Sequence, residues 1–323
     1  MKQLKQKKTV GRKNAEIFCI CTLAFMLVQW LVFYVYQNLN SILLSFQKFD
    51  PSVEDHVFLK GDALFDNFKR FFKELFLDKR IGRYFLNGMV YHLVGLAALP
   101  ISLTFAFVIY KKMPASGFFK VMLFMPSIVS GMVVVMLFKF LMLDGFRGFW
   151  MDVLKLPYEK FPSLLTSEKY AFRTLILYQF FFALPGSLLI NVGTMSRVPK
   201  ELIEYGKLEG LTLFQEFIHL TLPLMFPVLQ VYCLGMFSGF FTASGPVYAL
   251  YGDGMSTIYT PESVKSFGYY LTVSILSGKA AGGDVRYNYG FTSAVNLTIG
   301  LVSIPIIYGT KRLFDKIDPG AEF

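Results

Sequence analysis

The chain has 323 residues, 54% hydrophobic and 17% aromatic against only 17% charged, a balance that excludes an ordinary soluble domain. Its net charge of +10 does not point to nucleic acid, because the basic residues stand at the ends of apolar runs. Three cysteines, all inside apolar runs (Cys19, Cys21 and Cys233), imply no disulfide framework.

A helix crossing hydrocarbon needs about 20 mostly apolar residues, and six stretches of the sequence supply them. The expectation is an all-α, polytopic membrane protein with six transmembrane helices. Residues 1–16 carry six Lys or Arg against one Glu, which predicts a cytoplasmic basic tail by the positive-inside bias. The first transmembrane helix follows at 17–46; its run from Ile17 to Tyr36 is too long for a signal-peptide core and lacks a small-residue cleavage site. The stretch 47–83 reads as an extracellular loop. Within it, Phe65, Phe68, Phe71, Phe72, Leu75 and Phe76 recur at helical spacing between Lys69, Arg70, Lys73 and Glu74, so an amphipathic helix lying flat is predicted.

Residues 84–314 form the core, with five further spans. Span two runs 84–110 around Pro100, and a short inner loop bracketed by Lys111, Lys112 and Lys120 leads to span three, 121–143, broken near Pro126. Lys139 sits close enough to the outer end to snorkel. After an irregular loop at 144–170 comes span four, 171–192, and then a polar interruption. Span five, 223–250, should bend at Pro223 and Pro227. The outer segment 251–289 holds a short apolar piece, 264–276, and a glycine-rich tip, 278–284. Span six, 291–308, ends at Lys311-Arg312, before a cytoplasmic tail at 315–323. With six spans both ends fall on one side. Basic density agrees: 15 basic residues occupy the 69 positions assigned to the inside and 15 the 107 assigned to the outside.

The polar interruption, 198–222, is the stretch the rest of the chain is organised around. Pro199 fits a first helical position and Gly210 can close that helix in a left-handed conformation, so two short helices are predicted to meet there. Leu202, Leu208, Leu211, Leu213, Phe214 and Phe217 offer apolar grip beside Glu201, Glu204, Glu209 and Glu216, a combination suited to docking on another protein. Glu204, Gly210 and, after nine intervening residues, Leu220-x-Leu222-Pro223 resemble the EAA signature of bacterial ABC importer permeases. Val198-Pro-Lys-Glu-Leu-Ile-Glu resembles the carbohydrate-uptake, maltose-type branch. Tyr205 and Gly206 stand where that family usually has two alanines, and Gly weakens a helix by about 1 kcal/mol relative to Ala.

The resemblance implies a type I ABC importer permease fold in the bacterial plasma membrane. It implies a coupling hairpin in which Glu204, Tyr205, Gly206, Glu209, Gly210 and Leu211 meet a cytoplasmic ABC ATPase dimer. It further implies a second homologous permease subunit and an extracellular solute-binding lipoprotein as partners, beside membrane lipid. No G-x-x-x-x-G-K-[ST] occurs, so ATP and Mg are expected on the ATPase and no cofactor on this chain. No nucleophile and base pair stands out, and the scattered His56, His92 and His219 offer no metal site; no enzyme activity is expected of this chain.

The six apolar runs contain no Asp or Glu, the groups from which proton- and sodium-coupled carriers build their relays. Energy must then come from outside the chain. Neutral groups suited to a polyhydroxy solute lie in the spans: Gln179, Gln230, Tyr232, Ser238, Thr242, Ser244 and Asn296. Gln179 leads them, since the resemblance aligns Gln179-Phe-Phe-Phe-Ala-Leu-Pro185 with a stretch carrying a polar residue in the maltose-type permease; Ser238, Thr242 and Asn296 follow. The expected function is import of oligosaccharides or related glycans. An importer for another polar solute, or a self-contained secondary carrier, stands as the alternative.

Overall fold

The computed structural model describes residues 2–153, 155, 157, 161–241, 243–252, 259–277 and 286–317. Among these, four helices are long and apolar enough to cross a membrane: Glu16–Ser45, Lys79–Tyr110, Ala171–Met195 and Asn288–Lys316. Two bent helix pairs raise the number to six if each pair is one span. The chain divides into two compact units, Met1–Phe71 with Arg286–Leu297, and Phe72–Val285 with Thr298–Phe323.

In the first unit, α1 (Lys2–Trp30) runs through a π-helical turn at Leu31–Tyr36 into α2 (Gln37–Ser45). The protein buries none of this span's apolar window, as suits a helix whose solvent is lipid. Two short strands, β1 (Gln47–Asp50) and β2 (Asp55–Phe58), follow as an antiparallel hairpin pairing Gln47 with Phe58 and Asp50 with Asp55. This hairpin is the one sheet among the described residues of an otherwise helical chain. It is closed by Asp50, whose Oδ1 accepts from the Ser52 N–H at 2.9 Å, an Asx-type turn no helical pattern announces.

The predicted amphipathic helix forms as α3 (Asp66–Leu77), burying Phe71 and leaving Phe76 and Leu77 exposed. Its Asn67 Nδ2 donates to the Ser45 and Gln47 carbonyls, both at 2.9 Å, tying α3 to the strand pair. The first turns of the last helix complete this unit: the Arg286 guanidinium stacks 4.2 Å over Phe49, and Arg70 lies 4.3 Å over Phe291. A Cβ at Gly290 would fall 2.2 Å from the Gln47 carbonyl oxygen, so only glycine fits there.

The second unit is built on α4 (Lys79–Tyr110), whose N-cap Asp78 accepts from the Arg80 N–H at 2.9 Å. At 1.5 Å per residue α4 is about 48 Å long. Next come α5 (Ser116–Ile128), α6 (Gly131–Phe140), α7 (Phe146–Asp152) and α8 (Ala171–Met195), of which α8 lies along α4 in the most extensive helix contact. Span three, expected to break near Pro126, is a pair bent by 102° with its break just beyond that proline. Val129 and Ser130 take extended ψ values of 141° and 131°, and Pro126, lacking an N–H, had already weakened the ladder before them.

Span five is broken too. After α9 (Lys200–Leu208), α10 (Leu213–Glu216), a π-turn at Phe217–Thr221 and α11 (Leu222–Leu224), the axis turns 66° at Met225 into α12 (Phe226–Ser238), with a proline in the first turn of each of the last two helices. The helix expected to reach Leu250 stops at Ser238, and α13 (Val247–Tyr251) restarts it after Gly245. Then come α14 (Phe267–Ser277), near the predicted 264–276, and α15 (Arg286–Ile317). The glycine-rich tip 278–284 lies outside the described residues.

Two apolar clusters grip opposite ends of α4. One gathers Tyr91, Phe138, Leu175, Tyr178, Val247, Leu250 and Tyr251; the other gathers Leu103, Ala106, Phe107, Leu188, Met195 and Met225. At the first end the chain is pinned by polar bonds. Tyr91 Oη donates to the Val264 carbonyl at 2.9 Å, Asn87 Nδ2 to the carbonyls of Ser263 (2.9 Å) and Lys265 (2.8 Å), and Tyr84 Oη to Glu262 at 2.5 Å. The Glu168 carboxylate accepts the backbone N–H groups of Glu262 (2.7 Å) and Ser263 (2.9 Å). Burial alone would raise its pKa, but these N–H donors outweigh it and hold the carboxyl below the usual value.

Gly245, at φ +56°, is the tight point: a Cβ would lie 2.6 Å from Cδ2 of Tyr91, a ring that is fully buried and tethered. Gly245→Ala is expected to destabilise the protein by about 3 kcal/mol, read as a lowered thermal midpoint in detergent. Glu168 generates a second expectation. Because its folded pKa is depressed, its contribution is full above the unfolded value near 4.5 and is lost as pH falls through the folded value. Glu168→Gln therefore melts below wild type at pH 7, and the gap closes as the buffer is taken below pH 4.5; a gap that persists in acid would contradict this.

Candidate functional site

The predicted hairpin is present. Pro199 sits one position earlier than expected, as the N-cap of α9 rather than its first residue. Gly210 has φ +78°, as its role at a left-handed helix end requires. The Leu211 N–H donates to the Gly206 carbonyl at 3.0 Å and the Gly210 N–H to the Lys207 carbonyl at 3.1 Å, which together form a Schellman motif. Thr212 then opens α10 with a capping box: its Oγ1 accepts from the Gln215 N–H, and Gln215 Oε1 accepts from the Thr212 N–H at 2.9 Å. So α9 is closed and α10 opened within four residues.

Gly206 explains why the turn is so tight. It is buried, and a Cβ there would meet Leu211 Cδ1 at 3.0 Å and Leu220 Cδ1 at 3.6 Å. Leu211 and Leu220 fold back over the glycine and lock the hairpin. The residues read as apolar grip therefore divide into two sets. Leu211 and Phe217 turn inward, Phe217 lying 4.9 Å from the ring of Phe107 on α4. Leu202, Tyr205, Leu208, Leu213 and Phe214 are exposed, Leu208 by 83%, and Glu204 and Glu209 stand exposed among them. An apolar surface fringed by carboxylates, on a rigid two-helix hairpin, is what remains for a partner.

Of the residues proposed to line a solute path, Gln179, Ser238 and Asn296 lie among the described residues. Gln179 is half-buried on α8, its Nε2 4.0 Å from where a Cβ of Gly95 would stand, a spot that Met236 of α12 also approaches. Ser238 is exposed at the end of α12, and Asn296 is exposed on α15 in the first unit. Thr242 lies outside the described residues. Gln230 does not face a path at all: it is 3% exposed and donates to Asp315 Oδ1 at 3.2 Å.

Sequence reading gave no role beyond a rejected metal site to His92, whose ring lies 6.0 Å from Phe240 and against Gly239, lining a small crevice with Leu96, Met236 and Phe237. It also missed a buried polar seam between α4 and α8, where Ser102 Oγ lies 2.8 Å from Ser187 Oγ and donates to the Leu184 carbonyl at 3.2 Å. Small polar residues in apolar helices carry no address until the partner helix is known.

The two hairpin glycines should respond differently to substitution. At Gly206 the obstacle is the far end of a flexible leucine, so Gly206→Ala is tolerated within about 1 kcal/mol, whereas Gly206→Leu exposes the hairpin to protease. At Gly210 there is open space but a positive φ, so Gly210→Ala costs about 1 kcal/mol and a β-branched residue more. Limited proteolysis and thermal melts of the two series check both.

No family model matches the sequence. The galactooligosaccharides transport system permease protein GanP of Bacillus subtilis is 25% identical over 200 residues, 61% of this chain and 46% of GanP. The maltose/maltodextrin transport system permease protein MalF is 25% identical in Vibrio vulnificus, over 73% of this chain and 45% of that protein. The Escherichia coli K12 protein of the same name is 22% identical, over 76% and 49%. The chain spans about half the length of the curated relatives it matches. Among solved structures, a chain of a bacterial ABC transporter involved in the import of the acidic polysaccharide alginate superposes with a TM-score of 0.68, at 16% identity, over 96% of this chain and 99% of that one. A chain of a bacterial alginate ABC transporter in complex with an alginate pentasaccharide-bound periplasmic protein gives 0.69, at 16% identity, over 95% and 97%. In sequence the chain is similar to carbohydrate-uptake permeases, and its fold is that of the ABC importer permeases.

Proposed function

We propose that this chain is a membrane-spanning permease subunit of an ATP-driven, binding-protein-dependent importer of oligosaccharides or related glycan fragments. The observation that carries the reading is the 198–222 hairpin: a Schellman-closed helix, a capped second helix and an exposed apolar face, with the inward end of the second helix packed on α4. An ATPase dimer gripping that face on the cytoplasmic side would push on α4 through a rigid lever. The chain itself carries no P-loop, so nucleotide and Mg belong to that partner. A second permease subunit and a solute-binding lipoprotein complete the assembly.

Glycan import is supported by the relatives' names and by the alginate-transporter fold match. Neutral and aromatic groups along α8 and α12 suit a polyhydroxy solute: Gln179 can exchange hydrogen bonds with hydroxyls, and Phe181 and Phe240 can stack on sugar faces. The absence of Asp and Glu from the apolar runs removes the residues an ion-coupled carrier would use.

Tagged chain, purified gently from its native host, is expected to bring down a P-loop ATPase and a second six-helix protein, with vanadate-sensitive ATPase activity that rises on adding the correct glycan. Gly210→Asp should abolish uptake while the chain still inserts. Gln179→Ala should weaken apparent solute affinity about fivefold, the worth of one hydrogen bond near 1 kcal/mol, with ATP dependence unchanged. Transport by the chain alone without nucleotide would overturn the reading.

A further inference from the structure

The hairpin reaches the rest of its unit through a buried ion pair. Glu216, the last residue of α10, pairs with Lys111, the first residue past the end of α4, and their side chains are 4% and 14% exposed. Apart from Lys111, Glu216 Oε1 has no hydrogen-bond partner among the described residues, so the lysine is what compensates the buried carboxylate. The Lys111 ammonium also lies 5.8 Å from the ring of Phe107 and 5.6 Å from that of Tyr110, and Phe107 meets Phe217, the residue after Glu216, at 4.9 Å. One charge contact and one ring contact thus bind successive residues of the hairpin to one turn of α4. The exposed α9 carries no such anchor: its buried contact is Gly206 beneath Leu211 and Leu220.

A charge pair and an apolar contact do different mechanical work. Rings slide past one another at little cost, whereas a buried carboxylate cannot leave the cation it is paired with without becoming an uncompensated charge. Movement of α10 therefore drags the end of α4 with it. We propose that Lys111 and Glu216 are the positioning residues that transmit hairpin displacement to α4, converting ATPase closure into movement of the permease core; this rests on the importer reading above. Neither residue belongs to the hairpin's exposed face. Their loss should uncouple hydrolysis from uptake without weakening ATP binding.

The test uses the complete complex with its ATPase, second permease and binding protein, reconstituted in liposomes. Solute imported per ATP hydrolysed and KM for ATP are measured for wild type, Lys111→Gln, Glu216→Gln, and the swapped Lys111→Glu/Glu216→Lys. Each single variant is expected to lower the import-to-hydrolysis ratio at least tenfold with KM for ATP unchanged, and the swap to recover at least half of it. If a single variant fails to assemble, recovery of both assembly and ratio by the swap supports the pair, and failure of the swap to recover the ratio overturns it. If wild type couples and the single variants couple equally well, the pair is not the transmitting contact although the importer reading stands. If wild type itself shows no nucleotide-driven uptake, the importer reading fails and the pair's role falls with it.

Discussion

The larger unit depends on the packing of α4 against α8. A helix in hydrocarbon gains nothing from burying apolar side chains against other apolar side chains, because lipid serves as well; close contact, shared polar bonds and shape must hold it. On α4 the sequence provides Gly95, Ala98, Ser102 and Ala106, small residues that let backbones approach. Ser102 and Ser187 then meet across the seam, with Asn191 Nδ2 3.5 Å from Ser102 Oγ. Both helices carry a central proline, Pro100 in α4 and Pro185 in α8, and both remain continuous through it.

The two ends of α4 are held in opposite ways, and the difference follows from what surrounds them. Near Tyr84 to Tyr91 the chain leaves the apolar layer, and side chains bond to loop backbone: Asn87 spans two carbonyls, and Glu168 caps two N–H groups. These bonds satisfy irregular backbone that would otherwise be costly to bury. The Lys111 end is held by rings and one ion pair, and the outer face of the hairpin beyond them stays exposed. A lever anchored at one place and exposed elsewhere can be gripped. The broken spans fit this economy: bends at Val129-Ser130 and at Met225 occur where proline had already removed a ladder donor, so the interruption costs less than in a regular helix.

The first unit works by another principle. The protein leaves the apolar window of the Glu16–Ser45 span uncovered, and order is supplied beyond its end, where Asn67 bonds two carbonyls, two arginines lie over phenylalanine rings and Gly290 admits the Gln47 carbonyl. Arginine over an aromatic face adds about 0.5–1 kcal/mol at exposed sites.

What the sequence determined by itself is whatever rests on local chemistry. Runs of about 20 apolar residues specify spans, the Phe and Lys spacing at 64–77 specifies an amphipathic helix, and Gly210 specifies a left-handed helix end because only glycine takes that backbone without penalty. The meeting of two short helices at Gly210 was legible for the same reason. Tertiary structure decided the rest. The prolines mark where spans three and five break but not the 102° and 66° angles they take, and the β1–β2 hairpin is tied by an asparagine from a later helix. That Leu211 and Phe217 turn inward while Leu208 and Phe214 stay out, that Gln230 is spent on Asp315, and that Lys111 finds Glu216 are long-range facts. Each joins residues far apart in the chain, and no periodicity records a partner that arrives only when the helices pack.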